Sequence, residues 1–297
     1  LISMQKDNPL IWIKDWCRWH IKLYGVERIV LYDNSSDYWS SLDGELSEID
    51  EAVEIILVHW PYKFGPITGG LNDYKYGHIG MYNHFRLFFG IQTAWCINLD
   101  IDEFLYFDNP LSLREYLQSP KNLIRPYIPL AHYLFPPGQV PAKKQARFFH
   151  HRIRYKTKYW NAASSPKYIC QPNMLKLMRN HSCELTRLQK IRLLLMSIKE
   201  AAISKKRDMV FKLLLNKTER LQWQKVDGRG KLFFCHFRDL YTDWHYSNRR
   251  KRAFDKFLEK VQPLSSVNPI FLVEDKRVID KAIETGVVTE LEISQNS

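Results

Sequence analysis

The chain has 297 residues, a net charge of +12 and 45% hydrophobic residues, enough for one large domain or two small ones and far from a disordered composition. No stretch approaches the roughly 18 uncharged apolar residues of a membrane span. The five cysteines (Cys17, Cys96, Cys170, Cys183, Cys235) lack close paired spacing, which predicts reduced, mostly buried thiols in a cytosolic compartment and argues against a cysteine zinc site.

The chain opens without an initiator methionine, inside a strand pattern at Leu1 to Gln5, as expected of a fragment of a longer protein. The spacing of Ile13, Trp16, Ile21 and Tyr24 predicts a helix from Pro9 to Leu23, ended by Gly25. Trp12, Trp16 and Trp19 fall on one face of it, as core packing requires, and His20 is placed to support a sheet edge. Arg28 to Tyr32 reads as a strand, Asp33 to Asp37 as a polar turn and Glu51 to Val58 as a third strand. A helix is predicted from Tyr74 to Gly90 and a fourth strand from Thr93 to Leu99. This alternation is that of an open α/β sheet with a mostly parallel core.

Beyond it, Phe104 to Phe107 reads as a short strand and Pro110 to Leu117 as a helix with a capping box at Ser112 and Glu115. Ile128 to Pro141 reads as irregular and Lys156 to Lys167 as loop. Tyr168 to Cys170, Met174 to Met178 and Lys231 to Phe237 read as strands. Thr186 to Glu219, Trp244 to Val261 and Asp275 to Thr285 read as helical. The charge is uneven: Arg187 to Lys231 holds thirteen Lys or Arg against four acids, which predicts either a basic face for an anionic partner (a membrane face, a phosphorylated substrate or nucleic acid) or an ordinary solvated helix surface.

The polar residues gather where the predicted strands end: Lys6, Asp7 and Asn8 after the first, Asp33 and Asn34 after the second, Asp100, Asp102 and Glu103 after the fourth. Ligands of open α/β sheets bind at the carboxyl ends of strands. If the fourth strand stays regular, Asp100 and Asp102 share a face and Glu103 points away from Asp102. Neighbouring carboxylates repel unless a cation sits between them, so a divalent ion is the first hypothesis and a strand-following acidic loop the alternative. Asp33 and Asn34 fit either a nucleoside contact or an Asx turn. Arg86 is placed either to offset the carboxylates or touch phosphate, or to form a surface ion pair.

These segments resemble a known group. Lys6-Asp-Asn, Trp12 to His20, Tyr24 to Ser36 and Trp95 to Phe104 are similar to the signature of glycosyltransferases of the type 2, family 4 group, related to glycosyltransferase family 92, over about residues 1–110. The likeness is weaker through Lys167 to Cys170, Asn180-His181 and Cys235-His236-Phe237. Asn8 departs from it, standing where the group carries a glutamate. The resemblance implies a GT-A fold, a nucleotide-sugar donor, and Mn²⁺ or Mg²⁺ at Asp100 and Asp102, both on the metal or one of them on a ribose hydroxyl, with His236 as the candidate late ligand and His181 as the second candidate. Lys6, Asp7, Asn8, Asp33, Asn34, Arg86 and Asp100 would contact the nucleotide. An inverting transfer needs a carboxylate base, for which Asp239, Glu184 and Glu103 are the candidates.

The expected organisation is a nucleotide-sugar-binding core over 1–185, a basic helical subdomain over 186–230, and a part completing the active site over 231–297. The expected setting is surface polysaccharide or lipopolysaccharide synthesis in the cytoplasm, peripheral on the inner membrane face. The donor is expected to be a UDP-sugar and the acceptor a saccharide or lipid-linked saccharide. Two other readings stand beside it: a metal-dependent nucleotidyltransferase or phosphoryl-transfer enzyme, and a non-enzymatic nucleic-acid binder. Acids at strand ends and the lack of a recognised binding module argue against nucleic acid.

Overall fold

A computed structural model of the chain describes residues 1–65, 76–108, 112–135, 148, 153–155, 167–192, 195, 232–237, 272–274 and 276–289. The strands are β1 (Ile2–Gln5), β2 (Arg28–Asp33), β3 (Glu54–His59), β4 (Cys96–Asn98), β5 (Glu103–Phe107), β6 (Tyr127–Phe135), β7 (Ile153–Tyr155), β8 (Lys167–Cys170), β9 (Leu175–Met178), β10 (Cys183–Leu185), β11 (Leu232–Phe237) and β12 (Leu272–Glu274). The helices are α1 (Leu10–Tyr24), α2 (Trp39–Ser47), α3 (Tyr76–Phe88), α4 (Leu113–Gln118), α5 (Pro120–Leu123) and α6 (Arg277–Glu284).

One eight-stranded sheet runs β3-β2-β1-β4-β8-β6-β11-β5, and β9 with β10 forms a separate antiparallel hairpin. The first four strands are parallel. The rest is mixed: β8 is antiparallel to β4 and β6, β11 is parallel to β6, and β5 is antiparallel to β11. The expected mostly parallel sheet is therefore a mixed one. The link from β4 to β5 is four residues long, far too short for a parallel crossover.

Period-two alternation splits the parallel strands between two cores. Ile29, Leu31, Ile97 and Leu99 pack with Trp12, Ile13, Trp16 and Trp19 of α1 on one face. Val30, Tyr32 and Cys96 pack with Met81, Tyr82 and Phe85 of α3 on the other. The tryptophan stripe of α1 is thus core, as its spacing predicts. The helix stops at Gly25, whose φ of 60° allows its N–H to reach the Ile21 carbonyl at 2.9 Å.

The α1 side chains also serve β5, which among the described residues is an edge strand with a partner on one side only. Trp16 Nε1 donates to the Glu103 carbonyl (3.0 Å), and Trp19 Nε1 and the Tyr24 hydroxyl donate to the Leu105 carbonyl (2.7 and 2.9 Å). The Leu105 N–H donates to His20 Nε2 (3.2 Å) while His20 Nδ1 bonds the Trp16 carbonyl (2.7 Å). An N–H and a carbonyl on opposite ring nitrogens fix a neutral, Nδ1-protonated tautomer. His20 supports the sheet edge as its position predicts.

The capping box at Ser112 and Glu115 is present. The five cysteines are free, four of them buried. The segment read as irregular from Ile128 opens instead with the nine-residue β6, whose Pro129 faces Tyr168 in the ladder. The proline masked the strand. Helix α2 and strand β10 carry too little periodicity to be read and were not expected. The stretch 187–192 is helical, but the rest of the basic region and the Trp244 to Val261 segment lie outside the described residues. Among those residues no helix is long and apolar enough to cross a membrane.

Candidate active site at the strand ends

Strand order reverses at β1, which has β2 on one side and β4 on the other. A reversal of this kind opens a crevice at the carboxyl ends of the two diverging strands. Lys6, Asp7 and Asn8 follow β1, and Asp100 to Glu103 follow β4, so two of the three predicted polar groups rim this crevice.

The acidic run does not continue the strand. β4 stops at Asn98, residues 101–102 form a turn, and β5 starts at Glu103. The turn is closed by Glu103 N–H donating to the Asp100 carbonyl (3.0 Å). The Glu103 carboxylate folds back to accept from the Asp100 N–H (2.8 Å). The expected geometry is corrected by this turn: Asp100 converges with Glu103, and the strand alternation invoked to pair Asp100 with Asp102 ends before either residue.

A cation does sit between the converging carboxylates, and it is Lys167. β8 runs antiparallel to β4 with Tyr168 opposite Asn98, so the first residue of β8 lies beside the turn. Its Nζ is 2.8 Å from Asp100 Oδ1, 3.1 Å from Glu103 Oε2 and 2.6 Å from Asn180 Oδ1. An ammonium has three donors, and three acceptors meet it. The lysine side chain is fully buried and that of Glu103 nearly so, whereas Asp100 remains 31% exposed. Burial pushes the Asp100 carboxyl up, but attraction to Lys167 and then to His78 outweighs it and holds the group below the usual carboxylate range. Burial likewise pulls Lys167 down, and Asp100 and Glu103 more than reverse that.

Asn180 comes from the turn between β9 and β10, and the turn is docked on the sheet. Tyr168 donates to the Arg179 carbonyl (2.6 Å), Asn98 Nδ2 to the Asn180 carbonyl (3.1 Å), and the Tyr82 hydroxyl of α3 to Asn180 Oδ1 (3.0 Å). His181 lies beside Asn180, its Nε2 3.2 Å from the amide nitrogen, and acts on Asp100 electrostatically. Asn98 is fully buried, and its Oδ1 has no hydrogen-bond partner among the described residues.

The other predicted residues fall around this cluster as follows. Asp33 is buried and accepts from the Ser36 N–H (2.8 Å) and from Gln5 Nε2. Ser36 Oγ in turn accepts from Gln5 Nε2 and the Asp7 N–H, both at 2.9 Å. Asn34 Nδ2 donates to the carbonyls of Trp60 (2.6 Å) and Tyr62 (2.8 Å) after β3. Both side chains hold loops: Asp33 caps its own turn through the Ser36 N–H, close to the Asx-turn reading, whereas Asn34 ties the segment after β3 rather than its own turn. Lys6 and Asp7 are exposed; Asp7 has a φ of 50° and its Oδ1 accepts from the Asp37 N–H (2.9 Å).

Arg86 follows Tyr82 by four residues, about 6 Å along α3, and its Nη1 donates to the Leu175 carbonyl at 3.4 Å. Glu184 is 14% exposed and ion-paired with Arg179, with Lys176 at 3.9 Å. His236 faces Glu103 in the β5–β11 ladder, and the next residue, Phe237, donates its N–H to the Asp102 carbonyl (2.9 Å). The backbone thus brings the end of β11 to the acidic turn. Asp239 lies outside the described residues.

Sequence reasoning gave no site role to Lys167, Asn180, Gln5 or His78. The signal for Lys167 was a lysine opening the otherwise apolar strand Lys167-Tyr-Ile-Cys170, where a charge is out of place unless paired.

The fold and the crevice define an α/β protein with an acidic cluster beside a strand-order reversal. The sequence matches the family described as Glycosyltransferase family 92 over residues 12–261. The chain belongs to that family and is a glycosyltransferase. No curated protein matches it.

Proposed function

We propose that the chain moves a sugar from a nucleotide-diphosphate-sugar, a UDP-sugar first, to a saccharide or lipid-linked saccharide acceptor on a GT-A fold. The observation that carries this reading is the partly exposed Asp100 at the mouth of the strand-reversal crevice, in a chain of glycosyltransferase class. Surface polysaccharide or lipopolysaccharide synthesis at the inner membrane face is the setting. The basic stretch from Arg187 to Lys231 would rest on anionic lipid, and salt-insensitive liposome binding would sink that part. The 1–185, 186–230 and 231–297 division stays with the proposal; β11, inserted between β6 and β5, makes residues 232–237 part of the sheet.

Residue chemistry supports a divalent cation that arrives with the donor. No group of three His, Cys, Asp or Glu suited to a metal occurs among the described residues. Mg²⁺-type sites need only one or two carboxylates when substrate phosphates complete the shell. Asp100 and Asp102 would supply the carboxylates and His236 a third ligand, and the orphaned Asn98 oxygen marks the cluster as rich in acceptors. When bound, the cation would offset the charge that develops on the diphosphate as the sugar–oxygen bond breaks.

The acceptor hydroxyl must lose its proton as it attacks the sugar carbon. Glu103 and Glu184 are each ion-paired with a cationic side chain. Asp239 is the base we assign. Lys6 and Asp7 rim the crevice on the nucleotide side, where Asp33 and Asn34 shape the loops. The test is donor hydrolysis and thermal shift with UDP-, GDP- and CMP-sugars, with and without Mn²⁺. A metal-dependent response to one donor, lost in Asp100→Asn and Asp102→Asn, is expected. Phosphate release or nucleotide transfer with no sugar acceptor would move the chain to the phosphoryl-transfer reading, and silence with every donor would reject both.

A further inference from the structure

The seat between Asp100 and Glu103 has the features of a cation site and already holds a cation. Its acceptors are fixed by the backbone: the Asp100 N–H clamps the Glu103 carboxylate, and the docked hairpin turn presents Asn180. Its occupant is fixed by strand register, since Lys167 opens β8 beside the turn. A fully buried lysine is retained only when its charge is compensated, and here two carboxylates and an amide oxygen lie within 3.1 Å of Nζ.

We propose that Lys167 is the resident cation of this site and a positioning residue for Asp100. It fills the place a divalent ion would take between Asp100 and Glu103. It engages Asp100 through Oδ1, leaving the exposed remainder of that carboxylate toward the crevice. It also withdraws Glu103 from metal binding and from proton transfer. A divalent ion is then held on the crevice side of Asp100 and never by Glu103. Because an ammonium does not exchange with solvent ions, the geometry of the acidic turn is set before any metal or nucleotide arrives. The crevice-side part rests on the function proposed above; the occupancy of the seat does not.

The experiment is to empty the seat. Lys167→Met should melt on the order of 10 °C below the parent, and millimolar Mn²⁺ or Mg²⁺, with no nucleotide, should restore at least half of that loss. The same ions should leave the parent protein's melting temperature unchanged, and the double variant Lys167→Met, Glu103→Gln should lose the rescue. A purely structural lysine would give the drop without the rescue, so a folded Lys167→Met indifferent to divalent ions overturns the proposal. If Lys167→Met fails to fold even with the ions, Glu103→Gln decides. Unchanged Mn²⁺ binding in the presence of UDP, followed by electron paramagnetic resonance, supports the proposal. A tenfold loss makes Glu103 a ligand and rejects it. Rescue of Lys167→Met in a protein that answers no sugar nucleotide would leave the seat standing and remove the function.

Discussion

Strand β5 buries polar groups on two sides, and the two sides differ in kind. Along its free edge the carbonyls of Glu103 and Leu105 and the Leu105 N–H are matched by Trp16, Trp19, Tyr24 and His20. Every partner there is neutral; Trp16, Trp19 and His20 are buried and Tyr24 is half-buried. At its first residue the Glu103 carboxylate joins Asp100 around Lys167, two negative charges on one positive. The seam closes a sheet edge that would otherwise invite another strand. The ionic cluster keeps a surplus of charge and a partly exposed carboxylate at the mouth of a crevice. Burial of neutral polar groups in matched pairs builds the frame, and the charge left unbalanced at its border is what a ligand can meet.

The comparison is broken most severely at Asp100. In Asp100→Asn an amide oxygen still accepts from Lys167 and Glu103 still balances it, so the fold persists while the charge facing the crevice is gone. Removing one group that stabilises developing charge lowers turnover by about 100-fold or more. Initial rates with the responsive donor, measured on protein whose melting temperature is close to the parent's, check this. A rate within a factor of about 3 of the parent, well inside one tenfold step of barrier, would make Asp100 part of the frame instead.

The seam and the cluster were unequally legible in the sequence. The tryptophan stripe of α1 has helical spacing, so its burial could be read. The hydrogen bonds from those indoles to β5 could not, because Trp16 and Glu103 are 87 residues apart and nothing in spacing predicts which strand lies at the edge. The acids were legible as a cluster at a strand end. Their partner was not: the carboxylates and Lys167 meet only because β8 enters antiparallel beside β4, a choice made by the whole sheet. Reading the strand on through Asp102 failed for a local reason, since the fold-back of the Glu103 carboxylate onto the Asp100 N–H stabilises a turn that alternation cannot show.

A smaller effect tests the seam. His20→Ala strands the Leu105 N–H in the core, which costs about 1–3 kcal/mol. Urea denaturation measures it, and the Michaelis constant for the donor should not move. Burial, only partly offset by the bond to the Trp16 carbonyl, lowers the His20 pKa from 6.5 to about 3. The unfolded chain therefore takes up a proton that the folded protein refuses. The stability this contributes is complete above pH 6.5 and is lost as pH falls toward 3, at up to about 1.4 kcal/mol per pH unit. His20→Ala should flatten that loss between pH 6.5 and 5, above the range where most carboxylates titrate. Equal slopes in parent and variant would mean that His20 charges within the fold.

The smallest expected effect sets a second ion pair against the buried one. Arg28 and Glu54 face each other across β2 and β3 and are ion-paired, with side chains 34% and 53% exposed. The chemistry is the same carboxylate-to-cation attraction as at Lys167, but water screens it, and holding two long side chains in one geometry offsets much of the gain. Glu54→Gln should cost no more than about 0.5 kcal/mol, and the difference should shrink further in high salt. Lys167→Met, by contrast, leaves a buried negative charge uncompensated, and salt cannot reach it. A salt-sensitive Lys167→Met would show the cluster to be solvated, whereas a large salt-insensitive loss at Glu54 would place that pair with the frame. Depth, rather than the mere presence of an ion pair, then separates the two ends of the sheet.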